Sequence, residues 1–154
     1  MPRHDQPFST AYSLSRILPA EPHAVFDAWT TPAGLAAWCG PEEHAVPEDR
    51  AVMEPRVGGR WNVLSVASDG TETGLGGTVR EIDPPRRLVL TTGDPANTES
   101  EPASVITLQL VAAEGGTSLH FQQAGVHTDP AAAVQARQDW QHFFDRLEKH
   151  LRST

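Results

Sequence analysis

Two hydrophobic patterns of different period mark the ends of this 154-residue chain. From Thr10 to Leu18, successive residues alternate with a period of two and Pro19 follows, which predicts a strand. Near the other end, apolar residues recur with the spacing of one helix face: Trp140, Phe143, Phe144, Leu147 and Leu151. We therefore expect a long amphipathic helix that begins with Asp129-Pro130 as N-cap and first position and continues to Leu151.

Two short helices are predicted directly after the first strand. The first begins at Pro22, where a proline is tolerated, and its apolar residues share one face: Val25, Phe26 and Trp29. The second has Thr31 as N-cap and Pro32 at its first position, and Gly40-Pro41 ends it. Each helix carries only one apolar stripe, so both need a sheet to pack against.

The middle of the chain is a series of strand-like runs separated by turn residues. The predicted strands cover 51–55, 60–67, 73–82, 87–92, 103–111 and 117–123. Asp69-Gly70 is a strong hairpin signal, and the sequence AAEGG at 112–116 forms a glycine-bearing hairpin connection. The run GLGG at 74–77 lies within a predicted strand, so it indicates a bulge or a tight bend.

These elements predict an α+β fold of two layers, in which one antiparallel sheet is covered by the long C-terminal helix. A sheet of about six to seven strands is strongly twisted and must curl, so its hollow side can wrap around the helix. The length suits one domain, and no repeat or linker divides the sequence. We expect a flexible tail over 1–9 and a single domain over 10–153.

Composition and charge narrow the classes of partner. The chain has 12 Lys and Arg against 20 Asp and Glu, a formal net charge of −8, which disfavours nucleic acid and anionic membrane surfaces. A single cysteine excludes an internal disulfide and any cysteine-cluster metal site. The first residues contain no apolar run, so we expect neither a signal peptide nor an anchor, and a cytoplasmic location.

Five stretches in a defined order carry a resemblance to a known superfamily. They are SRILPAEPHAVFDAWTTPAGLAAWCGP, RVGGRWNV, DGTETGLGGTVREIDPPRRLVLT, EGGTSLHFQQAGV and QDWQHFFDRLEKHL. The chain resembles the START-like "helix-grip" superfamily (SRPBCC) and, within it, bacterial proteins similar to activator of heat-shock-protein-90 ATPase. The resemblance implies a curved sheet that grips the C-terminal helix, with a cavity between them whose ligand varies among relatives. Relatives usually carry two aromatic residues where this chain has Trp38-Cys39, which implies a roomier cavity or one that bears a thiol.

Candidate ligand-binding residues are those whose pattern or resemblance places them toward the cavity. They are Arg16, Trp38, Glu54, Trp61, Phe121, Gln123, Trp140 and Phe144. The aromatic side chains suit a flat or apolar ligand, although each can equally fill the core. Gln123 follows Phe121 by two residues, so both side chains share one face of the strand and His120 points away. Arg16 and Glu54 would mark ligand recognition or proton transfer if paired in the cavity; the alternative is that both are solvated at its rim.

Metal, cofactor and nucleophile chemistry is disfavoured by residue spacing. The seven histidines include no HxH or HxxxH pair, so we expect no metal site. No P-loop, helix-opening GxGxxG or GxSxG elbow is present, so no cofactor and no catalytic residue is assigned. Cys39 is better explained as a buried apolar side chain than as a nucleophile, because the nearby His44 lies in a predicted loop beyond Gly40-Pro41.

The sequence therefore favours a domain that binds a small apolar or aromatic molecule without catalysis. One alternative is a cyclase- or hydrolase-type enzyme that uses Arg16, Glu54 or Gln123 as polar participants. Another is a cochaperone-like interaction domain, which is disfavoured because the eukaryotic activators carry an additional N-terminal domain. A monomer and a homodimer are equally compatible with the pattern.

Overall fold

The computed structural model of the chain describes residues 11–39, 51–93, 104–125 and 130–152. The tail predicted for 1–9, the helix end at Gly40-Pro41 and the Asp129 cap lie outside these ranges. The described strands are β1 (Ala11–Leu18), β2 (Ala51–Met53), β3 (Arg60–Val66), β4 (Glu72–Asp83), β5 (Arg87–Thr92), β6 (Ser104–Ala113) and β7 (Gly116–Ala124). The described helices are α1 (Pro22–Thr30), α2 (Pro32–Trp38) and α3 (Pro130–Arg152).

The described strands form one curved antiparallel sheet in the order β1-β7-β6-β5-β4-β3-β2. Each neighbour from β2 to β7 also follows in sequence, while β1 is at the edge beside β7. This arrangement confirms the predicted α+β helix-grip architecture. Of the three helices described, none combines the length and the apolarity needed to traverse a bilayer.

Strand alternation separates an inner face, which the helices cover, from an outer face. On β7, Leu119, Phe121 and Gln123 are buried, whereas His120 and Gln122 are exposed. The period of two in the sequence therefore assigns the correct residues of this strand to the interior. Burying the apolar half of each strand is the main term that stabilises the sheet against the helices.

A shared threonine joins the two short helices at a sharp corner. Thr31 ends α1 and accepts a hydrogen bond from the Gly34 amide at 3.1 Å through its side-chain oxygen. The same hydroxyl donates to the Asp27 carbonyl at 2.9 Å. Pro32 follows with the φ angle that a first helical position requires, so the predicted cap and proline are confirmed.

The C-terminal helix packs against β1, α1 and α2 through the predicted apolar stripe. Four stripe residues are buried and Phe143 is half-buried; the buried ones are Trp140, Phe144, Leu147 and Leu151. At the sheet edge, Arg16 of β1 pairs with Asp145 at 2.8 Å and with Glu148 at 3.6 Å. Because the ion pairs are partly exposed, the buried stripe contributes most of the docking energy.

Several predicted strand ends differ from the structure, most clearly at β2 and at the connection between β6 and β7. The strand predicted over 51–55 ends at Met53, because Glu54 turns the chain and its carboxylate accepts a hydrogen bond from the Arg60 amide at 2.9 Å. The connection predicted over 112–116 is shorter in the structure and consists of Glu114-Gly115, because Ala113 and Gly116 still pair across the hairpin. Gly115 has φ +85°, which lets two residues close the turn.

The glycine run in β4 marks a close approach of neighbouring strand backbones, and the bulge follows it. The register shifts between Val79 and Glu81 rather than within 74–77. At Gly77 a Cβ would collide with the carbonyl oxygen of Thr91. The Thr78 amide instead donates to the Thr91 hydroxyl at 3.0 Å, so the two backbones lie unusually close there.

We expect Gly77→Ala to destabilise the fold by about 1–3 kcal/mol, because the added methyl group must push β5 away from β4. Chemical denaturation followed by circular dichroism measures the change in unfolding free energy. The control is Arg80→Ala at an exposed position of the same strand, which should change it by less than about 0.5 kcal/mol. Equal stability of the two variants would contradict the close approach.

Candidate functional site

Five aromatic rings from four elements meet between the sheet and the helices. We call this set the aromatic cluster: Trp29, Trp38, Phe121, Trp140 and Phe144. The ring centroids of Trp29 and Trp38 are 4.7 Å apart, and those of Phe121 and Trp140 are 4.8 Å apart. Tilted pairs at these separations add about 0.5–1.5 kcal/mol each beyond area burial. The cluster is thus a packing centre of the interior, and all five rings are buried.

Two of the predicted tryptophans tie backbone segments together. The Trp38 indole donates to the Ala28 carbonyl at 2.8 Å, which links α2 to α1. The Trp61 indole donates to the Thr91 carbonyl at 2.9 Å, which links β3 to β5. Both side chains are buried, so the polar edge of each ring is satisfied inside the core.

A chain of hydrogen bonds crosses four strands on the inner face, and we call it the polar chain. Its members are Tyr12 of β1, Gln123 of β7, Ser104 of β6 and Thr92 of β5. The Tyr12 hydroxyl donates to Gln123 Oε1, and Gln123 Nε2 donates to Ser104 Oγ at 2.9 Å. Ser104 and Thr92 share a further bond between their hydroxyls. Gln123, Ser104 and Thr92 are buried, so these bonds lie inside the protein.

The polar chain borders the aromatic cluster at Tyr12. The Tyr12 ring lies 6.2 Å from the Phe121 ring, and Gln123 follows Phe121 on the same face of β7. Burial, with a further contribution from the Asp139 carboxylate, raises the pKa of the Tyr12 phenol above its ordinary range. Tyr12 therefore keeps its proton at neutral pH and can donate to Gln123.

Trp29 sits in the middle of the cluster with an unpaired polar atom. Its side chain is 1% exposed, and its ring is parallel to that of Trp140 at 6.1 Å. The buried indole Nε1 has no hydrogen-bond partner among the described residues. A buried N–H without an acceptor is rare in folded proteins, so this atom is a candidate ligand contact.

The two charged candidates lie away from the cluster's centre. Arg16 is on the inner face of β1 at the sheet edge, where its guanidinium is held by Asp145 and lies 6.0 Å from the Phe144 ring centroid. Glu54 lies in the turn after β2, 40% exposed, and its carboxylate holds the Arg60 amide. The structure does not bring Arg16 and Glu54 together as a pair.

Cys39 follows α2 and is fully buried. Burial raises the pKa of its thiol from 9.0 to about 12, an effect that Arg146 partly opposes. At neutral pH the sulfur is therefore a protonated, apolar group, consistent with its interpretation as core filler. Among the residues described, no three His, Cys, Asp or Glu side chains lie together as a metal site.

The structure groups five of the eight sequence candidates, sets Arg16 beside Phe144 at the edge of the group, and leaves Glu54 and Trp61 outside it. Trp38, Phe121, Gln123, Trp140 and Phe144 come together, whereas Arg16, Glu54 and Trp61 occupy the positions described above. Sequence reasoning missed Tyr12, Ser104 and Thr92 as polar partners of Gln123. A usable signal was present for Tyr12, which shares the inner face of β1 with Leu14, but Ser104 and Thr92 stand at strand ends where alternation is weak.

The chain matches a known protein family and shares its fold with several solved structures. A model of the family described as Activator of Hsp90 ATPase homolog 1-like protein matches residues 19–152. A Rhodobacter sphaeroides crystal structure is 26% identical, with a TM-score of 0.75, covering 94% of this chain and 93% of that one. The solution structure of an AHSA1-like protein from Aeromonas hydrophila is 20% identical, with a TM-score of 0.79 and the same two coverages.

A third solved structure, from Mesorhizobium loti, is 26% identical with a TM-score of 0.71, covering 94% of this chain and 98% of that one. No curated protein matches the chain. The family match confirms the resemblance that the five sequence stretches carry.

We expect Cys39 to resist alkylation in the native protein and to make stability fall at alkaline pH. Because its folded pKa is raised, the thiol favours the folded state fully below pH 9.0, and this contribution is lost as pH rises from 9.0 toward 12. Thiol-reagent kinetics at pH 8, with and without denaturant, check the first point. Denaturation midpoints between pH 8 and 11 check the second.

Cys39→Ala is the control for the alkaline effect. It lowers stability at neutral pH by removing packing, but its stability should fall less steeply above pH 9 than that of the unaltered protein. Rapid labelling of the native protein would contradict the burial of the thiol. So would an equal dependence of stability on pH above pH 9 in the variant and the unaltered protein.

Proposed function

The chain belongs to the Activator of Hsp90 ATPase homolog 1-like family, and we propose that it binds a small apolar or aromatic molecule between its sheet and α3, without catalysing a reaction. The observation that carries the proposal is the polar chain beside the aromatic cluster on the inner face. Small-molecule sites combine an apolar wall with a few convergent polar groups, and these two features have that composition.

Binding without catalysis is supported by the state of the charged candidates. The enzyme alternative needs Arg16 or Glu54 to act on a substrate, but Arg16 is engaged by Asp145 and Glu54 by the Arg60 amide. Gln123, the third participant, is an amide, which acts neither as a general acid nor as a general base near neutral pH. The polar groups beside the aromatic cluster are thus suited to hold a ligand rather than to transform it.

We expect saturable binding of the neutral apolar fluorophore N-phenyl-1-naphthylamine. Trp29 and Trp140 are both in the cluster, so tryptophan emission should be transferred to the bound probe. Phe121→Leu removes ring contacts while keeping an apolar side chain, and we expect it to raise the Kd by roughly tenfold. Titration of probe fluorescence at constant protein measures both quantities.

The matched control is Gln122→Leu, one residue away on the outer face of the same strand. It should leave the Kd unchanged, because its side chain points away from the helices. Native mass spectrometry of the purified protein provides an independent search for a co-purified molecule. Absence of saturable binding by apolar probes of several sizes would contradict the proposal.

A second candidate, contact with an Hsp90-type chaperone, is raised by the family's name. Ile17 and Val111 are 54% and 56% exposed and flank Ser118 in the sheet register, which makes a small apolar patch on the outer face. A chaperone contact through this patch should be lost in the Ile17→Ser, Val111→Ser double variant. A pull-down with purified chaperone compares the unaltered protein with the double variant. If the chaperone retains neither of them, this candidate is removed.

A further inference from the structure

The polar chain offers more hydrogen-bond donors than its own acceptors use. Gln123 Nε2 carries a pair of hydrogens and directs one of them at Ser104 Oγ. Ser104 and Thr92 share one bond, in which either hydroxyl can be the donor, so the hydrogen of the other hydroxyl remains. Neither remaining hydrogen has an acceptor among the residues that the structure describes, and all three side chains are buried.

Trp29 adds a third unpaired donor nearby. Its buried indole N–H has no acceptor in the described part of the chain, and its ring centroid is 6.5 Å from that of Phe121. The Phe121 ring is in turn 6.2 Å from the ring of Tyr12, the outer member of the polar chain. The Phe121 ring therefore neighbours both the Trp29 ring and the Tyr12 ring, and Tyr12 belongs to the polar chain.

The unpaired polar groups that the structure describes on the inner face are hydrogen-bond donors, not acceptors. Within the described residues, the buried side-chain acceptor left unpaired is Asn62 Oδ1, and Asn62 alternates with the inward-facing Trp61 and so belongs to the other face of β3. Unpaired buried N–H groups are rarer than under-used oxygens, because an oxygen with one bond is already partly satisfied. A ligand at the inner face would therefore be held best by a hydrogen-bond acceptor.

We expect the acceptor group of the ligand to carry no charge. A carboxylate needs a free cation when it is buried, and Arg16 is engaged by Asp145 at the sheet edge. Arg146, which acts electrostatically on the buried Cys39, also has a partner of its own. The formal net charge of −8 further disfavours an anion.

We propose that the ligand is a neutral molecule with an apolar body and a carbonyl acceptor, as in a ketone or an ester, which receives hydrogen bonds from Gln123, the Ser104–Thr92 pair or Trp29. This inference rests on the proposed function and deepens it by naming the polar chemistry of the ligand. Tyr12 acts as a positioning residue, because its hydroxyl holds the Gln123 amide oxygen and so directs the amide N–H groups inward.

The test compares four probes that share a naphthalene body. These are 2-acetylnaphthalene with a carbonyl, 2-isopropylnaphthalene with no polar group, 2-naphthol with a donor hydroxyl, and anionic 2-naphthoate. We expect the ketone to bind roughly tenfold more tightly than the isopropyl compound, the value of one net hydrogen bond in a buried site. The naphthol and the naphthoate should bind less tightly than the ketone.

Nuclear magnetic resonance of the unaltered protein locates the contact without a substitution. The ketone should shift the Trp29 indole N–H signal or the Gln123 side-chain amide signals. The indole signals of Trp38 and Trp61 are internal controls, because both already donate to backbone carbonyls. Gln123→Met should abolish the preference for the ketone over the isopropyl compound, while Gln122→Met on the outer face should retain it.

The outcomes separate the two proposals. A ketone preference, selective shifts and its loss in Gln123→Met support the inference. Equal affinities for all four probes, or shifts confined to other signals, would overturn the carbonyl inference while leaving apolar binding in place. If no probe binds, the proposed function fails and the inference fails with it.

Discussion

The packing of Phe121 against Trp140 is the contact on which the rest of the arrangement depends. Their ring centroids are 4.8 Å apart, and Trp29 and Phe144 complete the contact from α1 and α3. This contact adds β7 to the partners of the apolar stripe of α3, which also packs against β1, α1 and α2. An isolated helix of that length is marginal in water, so α3 depends on burying this stripe. The same rings thus hold the layers together and make the apolar wall of the proposed site.

The polar chain imposes a second constraint, because it works only when four strands are in register. Tyr12 pairs with Gln123 across β1 and β7, and Gln123 pairs with Ile106 of β6, two residues from Ser104. A shift of one residue in either pairing would turn Gln123 or its partners to the outer face. Buried polar networks of this kind are costly when incomplete, so the hairpin at Glu114-Gly115 that sets the β6–β7 register also sets the chemistry of the interior.

Much of the architecture was predictable because local rules and tertiary packing agree. The apolar stripe from Trp140 to Leu151 predicts which side of α3 is buried, and Thr31-Pro32 predicts the start of α2. Alternation on β7 predicts that Gln123 is inside and His120 outside. The strand predicted over 51–55 was too long because a strand end is decided by pairing across the hairpin: the Arg60 amide donates to the Glu54 carboxylate only once β2 and β3 have met.

The family could be predicted from the resemblance that the five stretches carry. The order of the elements and the inner face of β7 could be predicted from periodicity, caps and turn residues that act over a few positions. Which side chains meet depends on the tertiary structure. It pairs Arg16 with Asp145, 129 residues away, and joins Tyr12 to Gln123 across 111 residues. It also leaves the Trp29 indole without an acceptor among the residues described. Such contacts depend on how the sheet curves around α3, and no local spacing encodes that curvature.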